Sequence, residues 1–465
     1  MRMPPRDGVA IEEAALAEFV AETEFRLIPG RVRARAVRVF QDTVGVILRG
    51  AEAPEVRRLA TALPKAGRAG ATILARGFPR CDPFTAAWVN GTAGIFLELD
   101  EGHRPTGHPG IHVLPAALAL AEWRGRSGRD FLAAFILGYE VAARISHATR
   151  LRQGVHPHGH MGTVGAAAAC AKLLRLNAAG VRHATAQAAS LGLATSWTPC
   201  FEGATGRNLY AGAAGAIGLR CALAAAAGFT GPAGPLRETF GTLLGRRFDP
   251  ARLVEGLGKE FEIATGYAKF HACCAANHPA LDALDGILRR RPVAPEAVAR
   301  VAVETTPYFT IVDKPYRPLS LSAKFSLPYA VAARLVTGGT GVEAFEGAAL
   351  TDPRIRRLSR RVAVRAAGEW ARRWPRDGGA TVTLTLATGE RLRASCANPF
   401  GAPRNPASAA ALRRKFLSLT APVLGAGAPA AWAALGRVAA MGTMAEVGRA
   451  LRRSAGARSP GRGAP

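Results

Sequence analysis

Histidine marks most clearly where this sequence could do chemistry. Eight of the ten histidines lie in three short segments, at positions 103, 108 and 112, at 156, 158 and 160, and at 271 and 278. Imidazole gains and loses a proton near neutral pH, so these clusters favour acid–base catalysis. Metal binding is the alternative, but Pro157 and Gly159 disfavour a regular strand in the second segment, and no carboxylate lies near it in sequence. We therefore predict acid–base chemistry without a metal.

A turn rich in acids stands beside the first histidine segment. Residues 91–115 read GTAGIFLELDEGHRPTGHPGIHVLP, with acids at 98, 100 and 101. Pro115 opens an apolar run, which predicts a helix that begins near Val113 to Pro115. The free amides of that helix would lie beside the imidazoles and could bind a carboxylate ligand. The other interpretation is a capped surface turn with solvated histidines.

Lys269 is a second candidate for chemistry. It lies between apolar residues in the segment ATGYAKFHACCAANHPALDALDG. A lysine drawn into an apolar cleft has a lowered pKa and can act as a base or as a cation that holds a carboxylate. A single lysine is more often a solvated surface group, so the residue alone is weak evidence for a catalytic role.

Helices must position most of these side chains. Apolar residues recur at three- and four-residue steps through much of the first half of the chain, with breaks at Pro29–Gly30 and Gly125–Gly128. Ser127 could cap the helix that follows the second break. Residues 9–265 are therefore predicted to form one all-helical domain.

The pattern changes near Lys269. Three segments alternate like strands, the last of them as a hairpin, at 298–311, 360–368 and 379–396. Together with two intervening helical segments they predict a smaller α+β domain. The predicted fold is mainly α, with α+β residues 266–405, helices in about 406–452 that pack back on the first domain, and a disordered tail at 453–465.

Composition narrows the class of partner. The chain has 465 residues and a formal net charge of +27, but its basic residues are scattered and no nucleic-acid-binding motif accompanies them. The positive field instead favours anionic substrates. The sequence contains no run of about 20 uninterrupted apolar residues, so no membrane span is predicted. Seven cysteines without a CxxC pair, and no secretion signal, predict a cytoplasmic protein with reduced thiols.

The order of segments resembles that of the MmgE/PrpD family over nearly the whole chain. The resemblance implies a helical domain completed by the C-terminal helices, an inserted α+β domain, a site between them, no cofactor and a homodimer. The matching segments include AAWVNGTAGIFLELDEGH, HPGIHVLPAALALAE, FILGYEVAARI, GVHPHGHMGTVGAAAACAKLLRLN, LYAGAAGAIGLRCALAAAAGFTGP, KFHACCAANHPALDA and NPFGAPRNPAS.

The resemblance also implies site residues. It assigns catalytic roles to His108, His156 and Lys269. Two positions depart from the family pattern, because Gly102 stands where the family has threonine and Arg207 where it has lysine. Arginine holds a carboxylate bidentately but is a poor base, and Gly102 leaves room for a bulkier substrate. The predicted substrate-binding residues are Glu98, Asp100, His103, Arg207, Asn208 and His278.

These residues predict an enzyme that acts on a small di- or tricarboxylate. His108 or His156 would move a proton α to a carboxylate, Arg207 and the helix N-terminus would hold the anion, and Lys269 would stabilise the enolate or supply the opposing proton. The favoured reaction is that of a hydro-lyase similar to 2-methylcitrate dehydratase. An epimerase or racemase, a decarboxylase, and a non-catalytic metabolite-binding protein are the alternatives.

Overall fold

Apolar residues at helical spacing fold into helices along most of the chain. A computed structural model describes residues 10–63, 70–105 and 107–456. The helices are α1 (Ile11–Glu22), α2 (Gly30–Gly50), α3 (Pro54–Ala62), α4 (Pro83–Ile95), α5 (Pro109–Trp123), α6 (Gly128–Ala148), α7 (Met161–Leu173), α8 (Ala178–Ser190), α9 (Thr198–Glu202), α10 (Leu209–Ala226), α11 (Pro235–Arg237), α12 (His278–Arg290), α13 (Ser320–Lys324), α14 (Leu327–Thr337), α15 (Pro353–Ser359), α16 (Gly368–Arg373), α17 (Ala409–Leu424), α18 (Ala428–Gly436) and α19 (Ala445–Gly456). The mainly α fold is confirmed.

Helices α4 to α7 and α10 form the centre of a first hydrophobic core. Helix α6 begins with a capping box in which Ser127 and Asp130 each satisfy a backbone amide of the other, as the sequence predicted for Ser127. Gly138 on α6 and Gly165 on α7 allow the two backbones to touch, since a Cβ on either would lie 2.5 Å from the other's carbonyl oxygen. This close packing fixes the helix ends that carry the histidines.

The C-terminal helices also contribute to the first core. Helix α17 packs along α2, and Phe416 is fully buried there. Lys415, one residue earlier, places its Nζ 2.8 Å from Asp42 of α2 and 2.9 Å from the carbonyl oxygen of Leu99. This contact links the end of the chain to the acidic turn.

A second core surrounds a four-stranded sheet of order β6-β5-β7-β8. Strands β5 and β6 are parallel, whereas β7 runs antiparallel to both β5 and β8. Helix α12 packs on β7 and β8. The strands are β5 (Val298–Thr305), β6 (Val362–Ala366), β7 (Ala380–Leu386) and β8 (Arg391–Cys396); two short ladders pair β1 (Ala71–Thr72) with β2 (Arg80–Cys81) and β3 (Thr149–Leu151) with β4 (Gly245–Phe248).

Two sequence-based predictions of elements are wrong at one end. The strand predicted for 298–311 stops at Thr305, because Pro307 opens a 3₁₀ turn and cannot donate to a ladder. The disordered tail predicted for 453–465 is wrong for residues 453–456, because α19 continues to Gly456, and the rest of that prediction, 457–465, lies outside the described residues. The two short ladders were not predicted.

The prediction that no segment could span a membrane also needs qualification. Within the described ranges, three helical stretches are long and apolar enough to do so by length and composition alone. Residues Gly128–Ala148 are 94% buried inside the protein, so they form core rather than a lipid-facing surface. The other two stretches, Thr205–Ala226 and Ala409–Gly436, are 50% and 39% buried.

Candidate active site

A pocket that is partly open to solvent lies where residues of the two cores meet. One wall comes from the acidic turn and from helix ends of the first core. The other comes from the segments that flank the sheet of the second core. The first wall includes Glu98, His103, Arg104, His108, His156, His158, Trp197 and Arg207, and the second includes Tyr267, Cys274, His278, Tyr308, Phe309, Phe325, Trp374 and Phe400.

Lys269 is held between two carboxylates behind the pocket wall. Its Nζ lies 3.1 Å from Glu98 Oε2 and 3.3 Å from Asp100 Oδ1, and all three side chains are buried. Burial alone would lower the pKa of Lys269, but the two neighbouring carboxylates raise it above its usual value. Of the two roles considered for Lys269, these contacts favour the cation that holds a carboxylate over the neutral base.

Arg207 shares the same acid. Its Nη1 lies 2.5 Å from Glu98 Oε1, and its guanidinium stacks 5.1 Å above the Phe325 ring. Asn208 does not line the pocket and instead accepts a long hydrogen bond from Arg207 Nη1 at 3.5 Å. Glu98 occupies one edge of the guanidinium, so a substrate carboxylate could bind Arg207 bidentately only at the other edge. The Nε atom on that edge is buried and has no hydrogen-bond partner among the described residues.

His108 has the geometry of a proton-transfer group. Its Nδ1 lies 2.7 Å from Asp100 Oδ2 and 2.9 Å from the carbonyl oxygen of Glu101. An oxygen acceptor at hydrogen-bond distance requires a proton on Nδ1, which leaves the second ring nitrogen, Nε2, as the acceptor of the neutral ring. The charges of Lys269 and His108 lower the pKa of Asp100, which therefore stays ionised beside the imidazole. His108 lines the pocket directly.

The helix N-terminus that was expected to bind substrate is already occupied. Helix α5 begins at Pro109 rather than near Val113, and Pro115 lies inside it. The Gly110 amide donates to Glu101 Oε1 at 2.5 Å, and the Tyr139 hydroxyl donates to Oε2 at 2.9 Å. The chain's own carboxylate thus takes the anion position. Burial raises the pKa of Glu101.

His156 is a hydrogen-bond donor rather than a base. Its Nδ1 accepts the backbone N–H of His158 at 3.2 Å, so the proton of the neutral ring is on Nε2. Burial and the nearby Arg207 charge lower its pKa well below the usual value, so the ring stays neutral. Nε2 is buried without a partner in the described chain and belongs to a pocket-lining residue. It can therefore donate to a substrate oxygen.

His158 is a site residue that was not assigned from sequence. Its ring stacks on His108, with centroids 4.3 Å apart and planes 28° apart, and its Nδ1 has no described partner. The HPHGH run was the available signal, since alternate residues of an extended segment share a face. His112 and His160 instead have both ring nitrogens bonded to backbone groups and are structural.

His103 and His278 line opposite parts of the pocket but are partly engaged. His103 Nε2 lies 3.0 Å from Glu262 Oε2, which lowers the pKa of that acid to about 2, while its Nδ1 is buried and has no described partner. His278 Nε2 donates to the carbonyl oxygen of Cys273 at 3.2 Å. Of the two predicted substrate-binding histidines, His103 therefore keeps the freer ring nitrogen.

Two groups have metal-ligating atoms within 4.8 Å of one another, Asp100 with His108 and His158, and His103 with His147 and Glu262. In the first group the Lys269 ammonium already lies 3.3 Å from Asp100 and supplies the positive charge there. In the second, His147 Nε2 donates to the carbonyl oxygen of Arg104 at 2.9 Å and is not a free ligand. The donor sets fit hydrogen bonding better than metal coordination, and we derive no step through a metal.

Tyr267 fills the space beside Gly102. The two residues exchange backbone hydrogen bonds of 3.1 and 2.8 Å, and the Tyr267 ring lies where a Cβ at position 102 would be. The expectation that Gly102 leaves room for a bulkier substrate is therefore wrong. The hydroxyl that the turn lacks is brought instead by Tyr267, a half-buried residue that lines the pocket.

Replacing Gly102 with alanine should consequently destabilise the protein. We expect a loss of about 1–3 kcal/mol in the free energy of unfolding, because the new Cβ overlaps the Tyr267 ring. Adding Tyr267→Ala should relieve the overlap. Urea unfolding measures both effects, with Gly206→Ala as the control because that position has nothing within 4 Å of a Cβ. Equal stability of Gly102→Ala and the control would contradict this packing.

The fold and the pocket define a class of protein: a mainly helical chain with two cores and a histidine-lined acid–base site between them. Residues 14–245 match the model of the MmgE/PrpD N-terminal domain, and residues 271–438 match that of the MmgE/PrpD C-terminal domain. The chain belongs to the MmgE/PrpD family, as its segments predicted.

Curated relatives of the chain are named as decarboxylases. Cis-aconitate decarboxylase of Homo sapiens is 29% identical over 351 residues, which cover 71% of this chain and 72% of the relative. That of Mus musculus is 27% identical over 422 residues, covering 84% and 82%. The cis-aconitate decarboxylase-like protein oryM of Aspergillus oryzae is 30% identical over 304 residues, covering 60% and 62%. These names indicate lyases and do not support the more specific role of a 2-methylcitrate dehydratase.

Proposed function

We propose that this protein is a cofactor-independent lyase that removes CO₂ from a small tricarboxylate such as cis-aconitate. The observation that carries the proposal is the placement of His108 Nδ1, 2.9 Å from the Glu101 carbonyl and 2.7 Å from Asp100, which leaves Nε2 as the ring nitrogen available for proton transfer in the pocket. The names of the relatives support the choice of decarboxylation among the reactions that such a group can serve.

Three unpartnered donors or acceptors beside His108 account for substrate binding. Arg207 Nε and His156 Nε2 are buried donors without described partners, and His158 Nδ1 is a third open polar atom. Buried polar groups without partners cost about 1–3 kcal/mol each, so a ligand that satisfies them gains that amount of binding energy. Carboxylate oxygens fit the two donors, because Arg207 is charged and His156 is a neutral N–H.

The proton balance of the reaction assigns the role of His108. When an allylic carboxylate leaves as CO₂, the broken C–C bond's electron pair forms a new C=C bond. The electron pair of the old C=C bond then takes a proton at the neighbouring carbon. His108 supplies that proton from Nε2 and recovers it from solvent, while Nδ1–H keeps its hydrogen bond to the Glu101 carbonyl beside the Asp100 carboxylate.

Lys269 acts in this account as a positioning residue. It does not line the pocket, and its ammonium contacts Glu98 and Asp100, which in turn hold Arg207 and His108. One buried cation thus fixes the two acids that orient the groups facing the substrate. This role is supported over the stabilisation of the enolate or the supply of the opposing proton, both predicted from the resemblance, because Lys269 does not line the pocket.

The second candidate reaction is the dehydration predicted from sequence. It needs a base for the α-proton and an acid for the departing hydroxide. His108 Nε2 can take the proton, and the Tyr267 hydroxyl can protonate the hydroxide, because it faces the pocket without a hydrogen bond to any residue in the described ranges.

Products distinguish these reactions. We would incubate the purified protein with cis-aconitate, citrate, 2-methylcitrate, malate analogues and aminosuccinates, and follow proton NMR spectra and CO₂ release together. The expected result is CO₂ with a new vinyl signal from a tricarboxylate. Olefin formation without CO₂ would establish the hydro-lyase, and inversion without either would establish an epimerase. Absence of any change would contradict an enzymatic role on these compounds.

A further inference from the structure

The outer part of the pocket carries aromatic rings around one arginine. Tyr308 and Trp374 stack with centroids 5.0 Å apart, and Phe309 meets Trp374 edge-on at 5.2 Å. Tyr308 is 44% exposed, which places this cluster at the open end of the pocket. The Arg104 guanidinium lies 5.7 Å from the Trp374 ring centroid on the side of the acidic turn.

Arg104 is held in place by its backbone and its packing. It lies in the turn closed by the hydrogen bond from the His103 amide to the Gly107 carbonyl, and its own carbonyl accepts from His147 Nε2 at 2.9 Å. The guanidinium packs flat on Gly378, where an added Cβ would lie 2.7 Å from Nη2. The side chain is therefore positioned before any ligand binds.

The guanidinium of Arg104 has no ion-pair or hydrogen-bond partner among residues 10–63, 70–105 and 107–456. The nearest acid that affects it, Asp377, is engaged by Arg373 at 3.0 Å and by Arg404 at 3.7 Å. Burial of the unpaired cation lowers the pKa of Arg104, although arginine remains charged at working pH. A carboxylate at this place would gain a charge-assisted bond without displacing one.

The charge balance of the inner pocket makes this cation significant. There Glu98 and Asp100 oppose Arg207 and Lys269, so the fixed charges cancel. A tricarboxylate would then meet little net attraction beyond His108 and the open hydrogen-bond donors. Arg104 is the pocket-lining guanidinium whose charge no described carboxylate neutralises.

We propose that Arg104 binds the carboxylate of the substrate most distant from the reacting carbon and so selects polycarboxylates over monocarboxylates. The Trp374 face supports the guanidinium from behind and contacts the carbon chain between the two carboxylates. This inference rests on the proposed function, because it takes a polycarboxylate to be the substrate. It adds a specificity-determining residue that the sequence did not mark.

Binding of an unreactive ligand tests the proposal without requiring turnover. Calorimetry would compare propane-1,2,3-tricarboxylate with its terminal monoamide, on the wild-type protein and on Arg104→Met. We expect wild type to bind the tricarboxylate about 10- to 100-fold more tightly than the amide, the size of one charge-assisted hydrogen-bond pair. Arg104→Met should bind both equally weakly, and Arg104→Lys should recover part of the preference.

A purely structural role for Arg104 gives a different result. If the guanidinium only joined the turn to Trp374, Arg104→Met would lower the melting temperature and leave the preference for the tricarboxylate unchanged, which would overturn the proposal. Arg124→Met is the matched control, because Arg124 stacks on Trp123 at 4.4 Å and lies outside the pocket. Failure of wild type to prefer the tricarboxylate would also overturn it, whereas product analysis judges the proposed reaction separately.

Discussion

His108→Asn is expected to lower kcat by about 10²- to 10⁴-fold, the range that general acid–base groups contribute. Asparagine keeps an N–H donor near the position of Nδ1, so the contacts with Asp100 and the Glu101 carbonyl can persist. It removes Nε2, which is the atom that exchanges protons with the substrate. Because the substrate-binding donors on Arg207 and His156 remain, KM should change much less than kcat.

Steady-state kinetics on the substrate found by product analysis would measure this effect. The control is His183→Asn, because His183 is half-buried, lies outside the pocket and accepts only the Gly231 amide, at 3.3 Å. Thermal unfolding of both variants checks that the fold persists. Retention of more than a tenth of wild-type kcat by His108→Asn would argue against His108 as the proton-transfer group.

Lys269→Met should cause the largest loss of stability, about 3–5 kcal/mol at neutral pH. Methionine matches the length of lysine but leaves Glu98 and Asp100 buried with one cation fewer. Removing one partner of a buried ion pair costs more than the pair contributes, because the remaining charge is desolvated and uncompensated. Urea unfolding at pH 7 measures the loss.

The pH dependence of that loss has a definite sign. Lys269 lowers the pKa of Glu98 and Asp100, so the stability it lends them is present above their unfolded pKa values near 4 and is lost as pH falls. The destabilisation by Lys269→Met should therefore shrink between pH 7 and pH 4 as the carboxylates of the variant take up protons. Lys269 itself has a raised pKa, so its own deprotonation matters only at strongly alkaline pH.

Two further variants sharpen this prediction. Adding Asp100→Asn to Lys269→Met should restore part of the stability, because one uncompensated charge is removed. Lys415→Met breaks another buried ion pair, with Asp42, and should also destabilise the protein, although Lys415 itself lies outside the pocket. A Lys269→Met penalty that is small, or that grows toward acidic pH, would contradict the charge arrangement.

Local signals explain what could be predicted of the fold. Helix α2 and the Ser127 cap follow from apolar spacing and a short-range side-chain bond, both of which are written within a few residues. The start of α5 was misplaced because Pro115 is tolerated inside a buried helix, although proline there removes one backbone hydrogen bond. Packing on both sides of the helix outweighs that local preference.

The sequence predicted which residues form the site better than it predicted their charges and tautomers. His108, His156 and Arg207 were singled out and do line one pocket. The charge of Lys269 could not be predicted, because it is set by Asp100 and Glu98, which are 169 and 171 residues away in sequence. The tautomer of His156 depends on one backbone amide, and sequence patterns do not encode such a contact.

Arg104 and Tyr267 were missed for a related reason. Each acts through a contact between segments that are distant along the chain, Arg104 with Trp374 and Tyr267 with Gly102. An arginine in a turn and a tyrosine near a lysine have no distinctive pattern of their own. Only the folded structure shows that Arg104 is a cation at the pocket without a partner among the residues it describes, and that Tyr267 fills the place of a missing side chain.

Solvent deuterium incorporation is the most direct test of proton transfer by His108. Wild-type protein and His108→Asn would be incubated in D₂O with cis-aconitate and the other polycarboxylates, and proton NMR would follow deuterium at the carbon next to a carboxylate. If His108 transfers the proton, the wild-type product contains one deuterium per turnover. We expect the rate of incorporation in His108→Asn to be lower by at least 10²-fold. Equal rates of incorporation in the two proteins, or turnover without deuterium in the product, would contradict proton transfer by His108.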